Sequence, residues 1–300
     1  MLGWVIYNGH LNSKKFIEFG QWIKFAAQTH KIDIELVKNN DCYSVMDLDG
    51  PVVLHSYFSE LPDFVVFLDK DIALAKQFQS IGVRVFNSPE AIDVCDNKIT
   101  MYQRLSEQNI AIPKTIIAPK TFFKPQNIEW KSFIRIGSIL NYPLIIKEAY
   151  GSYGDQVYLI QDEKELKKKI EELVHIPLLF QEYISENIGK DRRIYVVGDK
   201  VIGAIERISE KDFRANVELG STVTAHVPSE KEIELSIRAT KAVGASFAGI
   251  DLLTNEKGEP IVCEVNTNAH IKNIYDCTGE NVAEHLISFI VNDIEKNPKN

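Results

Sequence analysis

The 300-residue sequence is poor in cysteine and contains no long apolar run. Its four cysteines, Cys42, Cys95, Cys263 and Cys277, show no CxxC spacing, which argues against a disulfide scaffold and against a zinc site of paired cysteines. No segment approaches the roughly 18 consecutive apolar residues of a membrane span, and the first residues do not form a cationic leader followed by an apolar stretch. We therefore expect reduced, buried thiols in a cytoplasmic protein without a membrane partner.

The sequence also has no surplus of basic residues. Lysine and arginine number 34 against 42 aspartate and glutamate residues, which gives a formal net charge of −8. This balance argues against a nucleic acid bound through a broad basic surface, but it allows a small cationic pocket for phosphates. With 45% hydrophobic and 25% charged residues, the composition is that of a globular protein, and the length allows two or three small domains.

Two common nucleotide-binding glycine motifs are absent. The first ninety residues alternate apolar runs with helical stretches, which predicts βα units on a largely parallel sheet. No GxGxxG follows the first run, so a dinucleotide cofactor is not expected here, and no Walker A sequence GxxxxGK[ST] occurs in the chain. In the helical stretch 13–29, apolar residues at three- and four-residue spacing predict a core-facing stripe. The runs expected to be strands are 4–7, 32–37, 64–68 and 83–86.

From about residue 96 the pattern changes to shorter strands separated by turns. Asp162 followed by Glu165 predicts a capping box that opens a charged helix ending near residue 174. Other helices are expected over 97–108, over 230–243 and from residue 280. The expected strands are 144–148, 157–160, 178–184, 193–197, 201–206, 217–224, and a hairpin formed by 247–253 and 260–266.

The hairpin carries three oxygen-bearing side chains that predict a metal site. If it is symmetric about Lys257 and Gly258, Asp251 lies opposite Glu264, with Cβ atoms roughly 5 Å apart. Asn266 falls on the same face because side chains along a strand alternate with period two. Oxygen ligands suit Mg²⁺, which completes its shell with water and phosphate oxygens. The alternative is a solvent-exposed acidic face, and a one-residue bulge would break the register.

A lysine and a glycine-rich turn form a candidate phosphate site. Lys147 ends an apolar strand just before the sequence EAYGSYGDQV, in which Gly151 and Gly154 allow positive φ, so that successive N–H groups can wrap an anion. The alternative is an ordinary flexible turn. Lys98 is a second candidate cation, unless it is only a surface lysine of its helix.

The order of these pieces resembles a known family. In sequence they are DNK, LIIKEAYGSYGDQV, QEYI, DRRIYVVGDKVIGAIER, DFRANVELGS, GIDLL and CEVN, and they span roughly residues 85–295. In this order they resemble the ATP-grasp enzymes, in particular the RimK-like carboxylate–amine ligases of the alpha-L-glutamate type. The resemblance implies an α/β protein with a Rossmann-like pre-ATP-grasp domain at 1–95 and a two-lobed ATP-grasp domain. Its lobes would be a central lid at 96–185 and a metal-binding part at 186–300.

The resemblance also assigns expected roles to residues of this sequence. Arg193, Arg207, Arg214 and Asn216 would face the transferred phosphoryl group and the carboxylate substrate. Asp251, Glu264 and Asn266 would hold the metal. The residues expected to bind ATP are the phosphate-binding Lys98 and Lys147, the loop residues Gly151, Ser152, Tyr153 and Gly154, the adenine-side residues Glu182, Tyr183 and Ile184, and Asp191 at the ribose.

The implied reaction activates a carboxylate as an acyl phosphate and joins it to an amine, with release of ADP and phosphate. Its cofactors would be ATP as a substrate and Mg²⁺ or Mn²⁺, with two ions expected. The partners would be an amino acid, a peptide or a protein terminus, and a homo-oligomer is compatible with the family. Two alternatives stay open, a non-catalytic nucleotide-binding regulatory module and a carboxylate kinase of the same fold.

The sequence departs from the family after the CEVN motif. Residues 267–270 read TNAH where many relatives have a Ser-Pro-Gly-like loop, so the pocket beyond the metal is expected to differ. His270 is a candidate substrate contact or a loop residue with a structural hydrogen bond.

Overall fold

The computed structural model of the chain describes residues 1–11, 14–121, 123–152, 154–215 and 220–298. Within these ranges the strands form sheets of four, four and five strands and one two-stranded ribbon. The first sheet is parallel, and the second and third are antiparallel. The mixed α/β class expected from the sequence is confirmed.

The first part of the chain forms the predicted parallel sheet. Its elements are β1 (Leu2–Tyr7), α1 (Lys14–Gln28), β2 (Asp33–Lys38), β3 (Cys42–Asp47), β4 (Gly50–His55), β5 (Phe64–Phe67), α2 (Ile72–Ser80), β6 (Arg84–Phe86) and α3 (Pro89–Asp96). Strands pair in the order β2-β1-β5-β6. Helix α1 buries Phe19, Ile23 and Ala26, as their spacing predicts. The carboxyl ends of β1 and β5 therefore lie at one edge of the sheet.

The ribbon of β3 and β4 was not predicted from the sequence. It packs on α2, where Gln77 donates hydrogen bonds from Nε2 to the carbonyls of Val45 and Val52, at 3.0 and 3.2 Å. On its outer face Tyr43 and Leu54 pair across the strands and remain more than half exposed. Apolar side chains that face solvent obscure the alternation that would mark these strands.

The second sheet is antiparallel, in the order β7-β10-β8-β9. Its region contains α4 (Lys98–Glu107), β7 (Thr115–Ile117), α5 (Trp130–Leu140), β8 (Leu144–Glu148), β9 (Val157–Ile160), α6 (Glu163–Leu173) and β10 (Leu178–Glu182). Helix α6 begins where Asp162 accepts a hydrogen bond from the N–H of Glu165 at 2.8 Å, as predicted. The Glu165 carboxylate, however, accepts from the N–H of Gln161, one residue earlier than a capping box requires.

The third sheet is antiparallel, in the order β13-β12-β11-β14-β15. Its region contains β11 (Lys190–Val197), β12 (Lys200–Ile208), β13 (Thr222–His226), α7 (Glu230–Ala242), β14 (Phe247–Thr254), β15 (Pro260–Asn266), α8 (Lys272–Thr278) and α9 (Val282–Lys296). The strand expected over 217–224 begins at Thr222, and residues 217–219 lie outside the described residues. Helices α4 and α7 share one core beneath this sheet, and α9 shares another with α1 and the first sheet.

Buried polar contacts fix the first sheet against the third. Asn87, which directly follows β6, is fully buried. Its Nδ2 donates to the carbonyls of Phe247 and Thr267 at 2.9 and 3.2 Å, and its Oδ1 accepts from the N–H of Ser246. This side chain therefore connects the end of the parallel sheet to the loop that follows β15.

Two expectations from the sequence concern the burial of the cysteines and the absence of a membrane-spanning helix. All four cysteines are free, and they are partly rather than fully buried. In the described part of the chain the longest helices, α1 and α9, have 15 residues, and none has the length and apolarity needed to cross a bilayer.

Candidate active site

A cleft of about 920 Å³ lies between the second and third sheets. Strands β8 and β10 contribute lining residues from one side, and β14 and β15 contribute them from the other, so residues distant in sequence meet here. Tyr153 and Asn216 lie outside the described residues. The residues selected from sequence that line the cleft are Lys98, Lys147, Gly151, Ser152, Gly154, Glu182, Tyr183, Ile184, Asp191, Arg214, Asp251 and Glu264.

A second cavity of about 1990 Å³ adjoins the first. Gly151, Ser152, Gly154 and Glu264 line both spaces, so the two meet at the glycine loop and the hairpin. On the far side, the second cavity is lined by residues that follow β1 and β5 of the parallel sheet. Arg193, Arg207 and Asn266, which were also selected from the sequence, line it too, as does His270, the candidate substrate contact.

The hairpin of β14 and β15 places Asp251 opposite Glu264, as predicted, but the reason differs. Near the turn the strands pair symmetrically about Lys257 alone, a register that would bring Cys263 opposite Asp251. A register shift directly after Asp251 leaves Cys263 as an extra residue and brings Glu264 into the pair. The bulge therefore creates the carboxylate pair instead of breaking it.

Asp251 is buried, and two arginines neutralise its charge. Arg193 donates from Nε to Oδ1 and from Nη2 to Oδ2, each at 2.7 Å. Arg207 places its Nη2 2.9 Å from the same Oδ2. Burial disfavours the charged form of Asp251, but the two guanidinium charges outweigh this effect and lower its pKa. The repulsion expected between the paired carboxylates is therefore offset within the protein.

Glu264 is the more accessible carboxylate of the pair. Its side chain is 32% exposed, and its Oε1 lies 3.6 Å from the Nζ of Lys98. Asn266 Nδ2 lies 3.3 Å from Asp251 Oδ2 and 3.5 Å from Glu264 Oε2. The three side chains that the alternation of the strand predicted to converge therefore do converge.

This donor set fits a divalent cation that takes oxygen ligands. A carboxylate has about four acceptor sites, and Asp251 Oδ1 uses one of its two for Arg193. Rotation of the Asn266 amide by half a turn turns its oxygen towards the carboxylates. No cluster of three or more histidine, cysteine, aspartate or glutamate side chains suited to a metal occurs in the described part of the chain. The candidate therefore consists of two carboxylates and one amide, a set that suits Mg²⁺.

Two cationic side chains hold the glycine loop that follows β8. Lys98 Nζ donates to the carbonyl of Gly151 at 3.0 Å, and Arg214 donates to the carbonyl of Gly154. Gly154 has a φ of +78°, a backbone conformation that residues with a Cβ rarely adopt. Gly151 has a φ of +152°, and a Cβ there would lie 2.9 Å from the Cβ of Gln156. Both glycines are therefore required by the conformation of this loop.

Tyr102 connects Lys147, the candidate phosphate-binding lysine of the second sheet, to the bulge in the hairpin of the third sheet. Lys147 Nζ donates to the hydroxyl of Tyr102 at 3.1 Å, and this hydroxyl donates to the carbonyl of Cys263. Burial raises the pKa of Tyr102 to about 12, so the hydroxyl keeps its proton at neutral pH. Tyr102 was not selected from the sequence, but its position four residues after Lys98 on α4 places it on the same helix face.

Removal of this hydroxyl is expected to weaken ATP binding without changing the chemistry. In Tyr102→Phe, Lys147 loses one fixed partner, and a hydrogen bond to a charged group contributes about 1.5–3 kcal/mol, so we expect the KM for ATP to rise about tenfold. We expect kcat to change less than about threefold, because the ring stays in place. Steady-state kinetics measures both values. Tyr158→Phe, which removes a hydroxyl bonded to Glu148 at 2.7 Å outside the cleft, is the control; equal KM values for both variants would contradict the assignment.

The end of β10 provides peptide groups at the side of the cleft assigned to adenine. Glu182 is the last residue that pairs with β8, and its Oε1 accepts from the N–H of Lys114 at 2.6 Å. Tyr183 and Ile184 follow it and line the cleft. Within the described residues, no hydrogen bond engages the N–H of Ile184 or the carbonyl of Tyr183. These groups are therefore available to a ligand.

The remaining candidates take part in ion pairs. Asp191 accepts from Arg207 Nε and Nη2, at 2.7 and 2.5 Å. Burial raises the pKa of Asp191 to about 6, and the charge of Arg207 acts against this shift. Arg214 forms a two-point pair with Asp212, at 2.9 and 2.8 Å. The arginines assigned to the phosphoryl group are thus positioned by carboxylates around the two cavities.

Residues 95–290 match the family model described as the RimK-like ATP-grasp domain. The probable alpha-L-glutamate ligase 1 of Shewanella denitrificans is 32% identical over 282 residues, which are 90% of this chain and 92% of that protein. This chain belongs to the RimK-like ATP-grasp family. Among solved structures, the VanG D-Ala:D-Ser ligase from Enterococcus faecalis has the same fold, with a TM-score of 0.74 at 21% identity over 97% of this chain and 98% of that one. The ATP-grasp ligase PsnB, solved with a phosphomimetic variant of its minimal precursor, Mg and ADP, aligns with a TM-score of 0.67 at 18% identity over 97% of each chain.

Membership in the RimK-like ATP-grasp family confirms the predicted enzyme class, an ATP-dependent carboxylate–amine ligase. The roles of single residues stay predictions. In the loop after β15, the carbonyl of His270 accepts a hydrogen bond from the Tyr195 hydroxyl at 2.8 Å. Burial raises the pKa of the Cys263 thiol.

Asp69 and Lys70, which were not selected from the sequence, also line the second cavity. They directly follow β5, at the carboxyl edge of the parallel sheet, where ligands of α/β proteins typically bind. Strand direction, once predicted, was therefore a usable signal for both residues.

Proposed function

We propose that the two cavities bind the substrates of one reaction, with ATP in the cleft between the antiparallel sheets and the acid and amine in the second cavity. The observation that carries this proposal is the convergence of three separate parts of the chain on one cleft: Lys98 at the start of α4, Lys147 and the glycine loop of the second sheet, and the Asp251–Glu264 pair of the third sheet. Cations and a glycine loop suit a triphosphate, and opposed carboxylates suit its metal ion.

In the first step a carboxylate oxygen of the acid attacks the γ-phosphorus of ATP, and the bond from phosphorus to the ADP oxygen breaks. Lys98 and Lys147 hold the phosphate oxygens, and the arginines at 193, 207 and 214 stabilise charge on the transferred group. Asp251, Glu264 and Asn266 would hold Mg²⁺, which would neutralise phosphate charge when bound. The protein thus contributes positioning and electrostatic stabilisation.

In the second step the amine attacks the acyl carbon, a C–N bond forms, and phosphate leaves. No covalent bond to the protein is needed, because the acyl phosphate is itself the activated species. The relatives named alpha-L-glutamate ligase and D-Ala:D-Ser ligase support an amino acid as one substrate, and PsnB, solved with its precursor, supports a peptide as the other. We propose L-glutamate as the first amino acid to test.

Several finer features belong to the same proposal. They are a second metal ion, a homo-oligomer, a cytoplasmic location and the three-domain division at residues 95 and 185. One packing fact bears on this division. Helix α4, which the division assigns to the central part, buries Met101 and Leu105 in the core beneath the third sheet.

The proposed function is tested by product analysis. The protein is incubated with ATP, Mg²⁺, L-glutamate and a mixture of the twenty amino acids, with and without a peptide pool, and products are identified by mass spectrometry. We expect ADP and phosphate in equal amounts, and a product whose mass equals acid plus amine minus water. Nucleotide binding without turnover for every acid and amine would favour the regulatory module, and a phosphorylated acid formed without amine would favour the kinase.

A further inference from the structure

Asp69 is a buried carboxylate that faces the second cavity from the parallel sheet. It lies one residue beyond Leu68, whose N–H continues the pairing of β5 with β1 by donating to the carbonyl of Ile6 at 2.8 Å. The residue is only 8% exposed, yet it lines the same cavity as Glu264 and Asn266. Asp69 is therefore a polar group at the carboxyl edge of the parallel sheet, where a ligand in the cavity can reach it.

The contacts of Asp69 orient the carboxylate without neutralising it. Asn8 Nδ2 lies 3.3 and 3.2 Å from the two carboxylate oxygens. The adjacent Lys70 binds elsewhere, since its Nζ lies 2.5 Å from Asp96 Oδ1 and 3.1 Å from Ser152 Oγ. Within the described ranges, no lysine, arginine or histidine forms an ion pair with Asp69. A buried carboxylate without a cation is unusual, because desolvation of a charge is costly unless a partner compensates for it.

Two contacts tie this part of the sheet to the reaction centre. The Lys70 side chain reaches Ser152, which belongs to the glycine loop beside the nucleotide cleft. The Asn268 amide, with its nitrogen turned towards the sheet, lies 3.3 Å from the carbonyl of Phe67 at the end of β5. Asn268 follows the candidate metal ligand Asn266 by two residues. The cavity in front of Asp69 therefore adjoins the place where the acyl phosphate would form.

The reaction requires a group with this chemistry. The α-amino group of a peptide has a pKa of about 7.7–8.0, and that of a free amino acid is higher, so at neutral pH either is mostly an ammonium ion without a free electron pair. It needs a carboxylate to bind it and to take its proton before it can attack. Of the other carboxylates in the cavity, Glu264 faces Lys98, Asp96 pairs with Lys70, and the charge of Glu18 acts on Lys272. The charged groups that line the cavity with Asp69 are Lys15, Glu18, Lys70, Asp96, Arg193, Arg207, Glu264 and Lys272.

We propose that Asp69 binds the ammonium group of the amine substrate and accepts its proton, so that the neutral amine attacks the acyl phosphate. This inference rests on the proposed ligase function and adds the amine site to it. Asn8 is the positioning residue that holds the Asp69 carboxylate towards the cavity.

Protons and bonds balance in this scheme. The first proton passes from the ammonium nitrogen to an Asp69 oxygen. The amine electron pair then forms the C–N bond, and the bond between the acyl carbon and the phosphate oxygen breaks. The second proton of the attacking nitrogen leaves with phosphate as HPO₄²⁻, and Asp69 returns its proton to solvent.

The titration of Asp69 agrees with this role. Burial raises its pKa, and the negative charge of Asp71 acts in the same direction. The N–H of Lys70, the Asn8 amide and the charge of Lys70 act in the opposite direction. Since the base form is the carboxylate, amide formation should rise with pH as Asp69 loses its proton.

Hydroxylamine separates the role of Asp69 from that of the rest of the site. Hydroxylamine is largely uncharged at neutral pH, so it traps an acyl phosphate without a base. Asp69→Asn is assayed with ATP, Mg²⁺, L-glutamate and the amino-acid mixture, with and without hydroxylamine. We expect amide formation to fall about 100-fold or more, the usual size of a general-base effect, while hydroxamate formation changes less than about threefold.

The matched control lies at the other end of the same strand, β5. Asp63 precedes β5 at the opposite edge of the sheet and accepts a hydrogen bond from the N–H of Leu2 at 2.8 Å. Asp63→Asn should retain both activities. Asn8→Ala, which leaves the carboxylate in place, should lower amide formation more than hydroxamate formation and supplies the test if Asp69→Asn fails to fold.

The outcomes are distinct. The proposal is supported if Asp69→Asn loses amide formation but keeps hydroxamate formation, and if its rate of amide formation no longer rises with pH. Full amide formation by Asp69→Asn, or equal loss of amide and hydroxamate in both folded variants, overturns it. Absence of both products with the wild-type protein overturns the proposed function and this inference with it.

Discussion

Replacement of Glu264 by alanine should lower turnover by at least about 100-fold, because even a supporting partner of a metal ligand typically contributes 10–100-fold. The variant removes one of two carboxylates that face each other across the hairpin. Folding should be little affected, with a change in the free energy of unfolding within about 1 kcal/mol, because the side chain is partly exposed and its nearest cation, Lys98, keeps its bond to Gly151. Steady-state ADP release and urea denaturation measure the two quantities.

The control for this variant is on the same hairpin. Glu259→Ala removes an exposed carboxylate near the turn that pairs with Lys231 at 2.7 Å. It should retain full turnover and similar stability. A Glu264→Ala protein that is fully active, or one that unfolds, would contradict the role given to Glu264.

Replacement of Lys147 by methionine should weaken the binding of ATP by about 10- to 100-fold, since a hydrogen bond to a charged group contributes about 1.5–3 kcal/mol. Methionine keeps much of the apolar length of the side chain but removes the ammonium group. The Tyr102 hydroxyl then loses a donor and keeps its bond to the carbonyl of Cys263. Calorimetric titration of the protein with a non-hydrolysable ATP analogue and Mg²⁺ gives the dissociation constant.

A lysine on the outside of the same part of the molecule provides the comparison. Lys169 lies over the ring of Tyr158 on β9, with its Nζ 4.3 Å from the centroid. Lys169→Met should bind the analogue as the wild-type protein does. Unchanged affinity in Lys147→Met would place this lysine outside the nucleotide site.

The parts of the fold that could be predicted carry strong local signals. The buried strands β1 and β5 are continuous apolar runs, and α6 opens with a capping aspartate. Helix α8 was missed because Ile271 precedes it and provides no capping side chain. Helix α5 was missed because its cap is Glu129, an uncommon residue at that position. Local prediction fails where the start signal is absent and packing alone stabilises the helix.

The residues of the candidate site also fall into those that could be predicted from the sequence and those that could not. The spacing of Asp251, Glu264 and Asn266 within one hairpin was enough to place them together, because both strands are adjacent in sequence. The pairing of Asp251 with Arg193 and Arg207 was not predictable, since it depends on the order in which β12, β11 and β14 lie side by side. Asp69 reaches the cavity from a different sheet: the direction of β5 indicates that it lies at the carboxyl edge, but only the packing of the sheets shows that this edge faces Glu264 and Asn266.

The most direct test is a crystal structure of the protein with Mn²⁺ and a non-hydrolysable ATP analogue, with the ion located by its anomalous scattering. We expect the anomalous peak within coordination distance of oxygens from Asp251, Glu264 and Asn266, and the triphosphate beside Lys98 and Lys147. An ion peak elsewhere, with the nucleotide bound away from these lysines and Asp251 in contact only with its arginines, would contradict the assignment of this cleft as the ligase active site.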